Sequence, residues 1–102
     1  MGYYFQVMSY NIVNNSELWM WYCMKLNEAV SIRLAELLNE RNMTQYQLYT
    51  RSGVAKSTVN NIINQTYPSV NLRILHELCQ GLGIGLNEFF QTPLFDDDNL
   101  DP

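Results

Sequence analysis

From residue 29 onward the apolar positions of this chain recur at the spacing of one helical face. Val30, Leu34, Leu37 and Leu38 run along residues 29–41, with Arg41 closing the row and Glu36 and Glu40 on the polar side, which predicts a first helix. Asn42-Met43-Thr44 interrupts it. Thr44 is a good N-cap for a second helix from residue 45 to about 51, and Met43 is placed to staple inward. A third helix opens at Ala55 or Lys56 and runs to about Asn64, before the turn chemistry of Tyr67-Pro68-Ser69. Asn71 caps a fourth, in which Leu72, Leu75, Leu78, Cys79 and Leu82 face the core and which Gly81 and Gly83 close. Residues 86–91 make a short fifth helix, with Leu86, Phe89 and Phe90 covering the bundle and Pro93 stopping it. The pattern therefore predicts an all-α fold, a compact bundle of five helices.

The second and third helices carry a stronger signal than spacing alone. In the run QYQLYTRSGVAKSTVNNIIN, residues 45–64, the apolar positions Leu48, Val54, Val59 and Ile62 flank Gly53 at a bend. Two short helices crossing steeply through a tight turn need a residue that accepts positive φ there and apolar side chains on both inner faces. That is the specification of a helix-turn-helix. The third helix then has an outer face of Lys56, Ser57, Asn60, Asn61 and Asn64, all able to hydrogen-bond base edges or phosphates.

Composition narrows the field without overturning this. A chain of 102 residues, 47% hydrophobic, holds one domain with an ordinary core and no second one. Cys23 and Cys79 stand in no metal-ligand spacing and one histidine, His76, completes no zinc site, so no metal and no cofactor is expected and both thiols read as reduced, in a cytoplasmic protein. His76 reads as a surface residue and Cys79 as core. The apolar run 18–24 is too short for a membrane span and lacks the charged flank of a signal peptide. No catalytic set converges, and Gly81-Leu82-Gly83-Ile84-Gly85 follows a helix instead of a strand, so it is no phosphate loop and no enzyme is expected.

The net charge of −4 argues at first sight against nucleic acid. Its distribution softens that. Residues 25–91 hold six basic against five acidic side chains, a net of +1, and the acidic excess is Glu17, Asp96, Asp97, Asp98 and Asp101. A near-neutral domain can bind DNA with a modest electrostatic contribution, and its affinity then leans on dimerisation.

On the runs RLAELLNERNMTQYQL, SGVAKSTVNNI and LCQGLGIGLNEFF, residues 25–91 resemble the lambda-repressor/Cro-like (XRE-type) helix-turn-helix DNA-binding domain, whose members are mostly bacterial or phage regulators. The resemblance implies a five-helix lambda-repressor-like bundle, a homodimer on double-stranded DNA, and helix 3 in the major groove. Carried over by position, it implies base contacts from Lys56, Ser57, Asn60 and Asn61, and phosphate contacts from Gln45, Thr58 and Asn64. Arg33 is assigned to phosphate as well; the acid that pairs with it in many relatives is here Ile63, so that pair is absent. Two further departures stand out. Tyr49 occupies a position in helix 2 where relatives favour a small residue, so either the crossing with helix 3 opens or the ring tilts outward. The loop 65–69 lacks the Gly-Lys-type basic turn of relatives.

The flanks lie outside the resemblance. Residues 1–24 hold Tyr3, Tyr4, Phe5, Tyr10, Trp19, Trp21 and Tyr22, seven of thirteen aromatics, and read as extended, then a turn at Asn14-Asn15-Ser16, then a helix from Glu17 towards Met24. They are an extension that contacts a dimer partner or another protein, or a start placed too early. Residues 92–102 read as a flexible acidic tail. Two functions follow: a sequence-specific transcriptional regulator, in the first place a repressor, or a protein-interaction module or antitoxin-like partner that keeps the fold with weak or lost DNA binding.

Overall fold

The computed structural model describes residues 24–101, and the expectations for residues 1–23 and for Cys23 lie outside them. Among the described residues five helices form: α1 Leu26–Glu40, α2 Gln45–Ser52, α3 Lys56–Ile63, α4 Leu72–Leu82 and α5 Leu86–Phe89, followed by 3₁₀ turns at Pro93–Phe95 and Asp97–Asn99. Caps account for both ends of α2 and of α4. Thr44 accepts a hydrogen bond from the Gln47 backbone N–H while Gln47 accepts from that of Thr44, a reciprocal capping box. Gly53 ends α2 at φ 76° and Gly83 ends α4 at φ 78°, in the left-handed region where a Cβ is strained. Asn71 accepts from Arg73 and Ile74 N–H to start α4.

The main core lies between α2 and α4 and under α3. It contains Leu34, Leu37, Leu48, Val59, Leu78 and Phe89, none more than 1% exposed. α2 packs chiefly on α4, and α1 on α3. Two buried polar side chains fix that second contact. Ser31 donates to the Ile63 carbonyl at 2.7 Å and Asn27 to the Tyr67 carbonyl at 3.1 Å, so α1 holds the C-terminal end of α3 and the loop after it. Buried groups like these cost more to leave unpaired than they add when paired, which makes the alignment specific.

Several elements differ from the sequence pattern. α1 begins at Leu26, not residue 29, and Met24 just before it is extended, paired with Leu100 through Met24 N–H to Asn99 O at 3.0 Å and Asp101 N–H to Met24 O at 2.9 Å. The acidic C-terminal segment is thus folded back on α1. Leu94 is fully buried with Met24 and Ala29 in a second small cluster, and Phe95 joins it to Phe89 and Phe90. Leu72 is 63% exposed. Side chains tilt toward the helix N-terminus, so a residue on the first turn points past the helix end, and Val70 and Ile74 fill the core edge instead. Phe90 is on the rim, not in the core. Gly81 does not close α4: it lies inside it, buried, where a Cβ would fall 2.8 Å from Ser52 Cβ and 3.0 Å from its Cα. Glycine is there for the close approach of α2.

Candidate nucleic-acid interface

The α2–turn–α3 unit presents its polar side chains in two rows. Lys56 and Asn60 are one turn apart on α3, and Ser57, Asn61 and Asn64 form the adjacent row. Lys56, Ser57 and Asn64 are exposed; Thr58, Asn60 and Asn61 are half-buried. Gln45 is exposed at the first position of α2, and its Oε1 accepts a hydrogen bond from the Tyr49 hydroxyl at 3.2 Å.

The half-buried three meet different neighbours. Thr58 and Asn61 open onto a recess of about 220 Å³ between the end of α3, the following loop and the start of α4, whose walls include Tyr67, Ser69 and Asn71. Asn60 turns the other way, toward α2, and its Oδ1 lies 3.2 Å from the Tyr49 hydroxyl. Both alternatives for Tyr49 are thereby resolved: its ring packs against the core while its hydroxyl reaches the outer edge of the seam.

Arg33 is not with this group. Its Nε donates to the Phe89 carbonyl at 2.7 Å and its Nη2 to that of Glu88 at 2.9 Å, Glu36 lies 3.6 Å from Nη1, and the side chain is 11% exposed. With its donors engaged by the end of α5, it is a clamp inside the domain, and its phosphate role stands only as a proposal. Ile63 meanwhile packs against the core.

The charge pattern of the unit was not visible in the totals. No acidic residue occurs between Glu40 and Glu77, so α2, α3 and the loop after it form a stretch free of carboxylates that carries Arg51 and Lys56. Neither cation has an ion-pair partner among the described residues, whereas Arg33, Arg41 and Arg73 all do. Burial raises the Glu36 carboxyl above its ordinary value, against the opposing pull of Arg33. The sequence also gave no weight to Tyr46, 73% exposed next to Gln45 on the first turn of α2. An aromatic on the polar side of a short helix was the available signal.

Among the described residues no cluster of three histidine, cysteine or acidic side chains could hold a metal, and no helix is long and apolar enough to cross a membrane. Neither the curated proteins nor the solved structures compared with the chain include a match. The family comparison is positive: the Cro/C1-type HTH DNA-binding domain matches residues 33–93, more than half the chain, and takes in α2, α3, α4 and α5 with the second half of α1. The chain belongs to the Cro/C1-type helix-turn-helix DNA-binding domain family.

Proposed function

We propose that this DNA-binding protein is a sequence-specific transcriptional regulator, in its simplest form a repressor, which lays α3 in the major groove as one half of a homodimer. The observation that carries the reading is the acid-free α2–α3 face, with Lys56 and Ser57 exposed and Asn60 and Asn61 half-buried on α3, and Gln45 exposed at the start of α2. Amides there suit adenine N6 and N7, and Lys56 suits guanine O6 and N7. Gln45, Asn64 and Thr58 are the phosphate contacts of this reading, and Thr58 also lines the recess. One face with so few cations holds few phosphates, and pairing two copies on a palindrome supplies the rest of the affinity. No cofactor and no catalytic step enter this reading, and the site of action is the cytoplasm.

A second reading, a protein-interaction module or antitoxin-like partner using the aromatic residues 1–23, draws on the acidic C-terminal segment and the absence of a basic turn after α3. Selection of bound sequences from a random duplex pool separates the two. A regulator yields a palindromic site with half-sites about one helical turn apart; a pool that never enriches contradicts it. On the selected site Asn61→Ala relaxes preference at one base pair, and Gln45→Ala weakens all sequences alike.

A further inference from the structure

The Tyr49 hydroxyl lies 3.2 Å from Oε1 of Gln45 and 3.2 Å from Oδ1 of Asn60. Gln45 is one turn before Tyr49 on α2, so the two share a face, and Asn60 comes from α3 across the seam. A single phenol thus touches both the amide assigned to a phosphate and an amide assigned to a base.

Proton counting makes this arrangement directional. A phenol has one proton to donate, and each amide offers one acceptor oxygen and one NH₂ group. Only one amide can take the proton fully; the other must turn its NH₂ toward the phenol oxygen. On DNA the choice is set from the phosphate side. A phosphate oxygen only accepts, so Gln45 must point its NH₂ outward and leave Oε1 to receive the Tyr49 proton. Asn60 then gives an N–H to the phenol oxygen and presents Oδ1 to the groove. A carbonyl oxygen there is met by the exocyclic amine of adenine or cytosine and repelled by the O6 of guanine or the O4 of thymine. The Tyr49 ring is packed against the core, so the phenol oxygen is a fixed reference for both amides.

We propose that Tyr49 is a positioning residue that sets the orientation of the Asn60 amide, making the base that faces Asn60 adenine or cytosine instead of guanine or thymine. This rests on the major-groove placement of α3 proposed above. Tyr49→Phe removes the hydroxyl and keeps the ring. The experiment measures binding to four duplexes that differ only at the base pair where Asn60→Ala relaxes preference. The wild type favours the amino bases about tenfold there, and Tyr49→Phe reduces the ratio to about twofold while preferences elsewhere persist. Adding Tyr49→Phe to Asn60→Ala changes that position no further. In the free protein, the side-chain NH₂ resonances of Gln45 and Asn60 both move in Tyr49→Phe and those of Asn61 do not. An unchanged ratio in Tyr49→Phe, a wild-type preference for guanine or thymine, no position relaxed by Asn60→Ala, or amide resonances indifferent to the hydroxyl would each overturn the proposal. Failure of the wild type to bind any duplex overturns the placement of α3 and this inference with it; binding with unaltered discrimination overturns this inference alone.

Discussion

Arg33 and Lys56 carry the same charge and meet opposite surroundings. Around α1 and α5, two cations sit beside acids: Arg33 is held by two carbonyls and Glu36, and Arg41 donates to the Leu82 carbonyl with Glu40 and Glu88 within 4 Å. Across α2 and α3 there are no acids, and apart from Arg51 and Lys56 the polar groups are neutral amides and hydroxyls, exposed or half-buried. One half of the molecule uses charge to hold itself together; the other leaves its few charges and many amides for a partner. Net charge is the wrong quantity for such a domain, because the −4 of the whole chain sums acids that all lie outside α2 and α3 with cations of which Arg51 and Lys56 lie on them.

Substitutions in the two halves separate stability from binding. The largest effect belongs to the framework on which both depend: Gly81→Val drives a side chain into the Ser52 backbone and costs about 3 kcal/mol, read as a lower urea midpoint with unchanged slope. On the first half, Arg33→Ala strands the Glu88 and Phe89 carbonyls and costs about 2 kcal/mol, while DNA affinity of the folded fraction holds. If affinity collapses instead with stability intact, Arg33 is a phosphate contact after all.

The pH dependence tests the interior that the halves share. Burial pushes the Cys79 thiol up to about 11, above its ordinary 9.0. The unfolded chain therefore releases that proton first, so stability is fully present below pH about 9 and is lost as pH rises through about 11. Urea midpoints across that range should fall in the wild type and fall less in Cys79→Ala.

The smallest effect is a gain. Gln65 stands at φ 57° just after α3, a conformation that costs a residue with a Cβ. Gln65→Gly should add up to about 1 kcal/mol without altering base preference, since the position lies beyond the reading face. No gain in thermal midpoint would mean that the left-handed turn is relaxed by its surroundings.

Features encoded within a few residues were legible beforehand. The Thr44 cap, Gly53, the Asn71 cap and the inward stripe of α4 each follow from local backbone needs, and the sequence pattern places the ends of α2 and α3 within a residue. What failed depended on distant partners. Gly81 resembles a helix terminator until Ser52 is seen against it. Arg33 looks free because the acid expected near α3 is missing, yet its partners are carbonyls more than fifty residues away. Asp96, Asp97 and Asp98 look like a solvated tail until Leu94 is found buried and Leu100 paired to Met24. The candidate site was named from the outer face of α3, but its internal order, with Asn60 turned to Tyr49 and Asn61 to the recess, needed the crossing of two helices.

If the acid-free face meets DNA, a salt series reads the contact through Lys56. Affinity for a duplex is measured from low to physiological salt for the wild type, Lys56→Ala and Lys25→Ala. The wild type should bind at micromolar concentration or below in low salt and weaken as salt rises, with a slope that Lys56→Ala reduces by about 1 and Lys25→Ala leaves unchanged. No binding in low salt, or a slope that responds to Lys25 and ignores Lys56, would contradict the account.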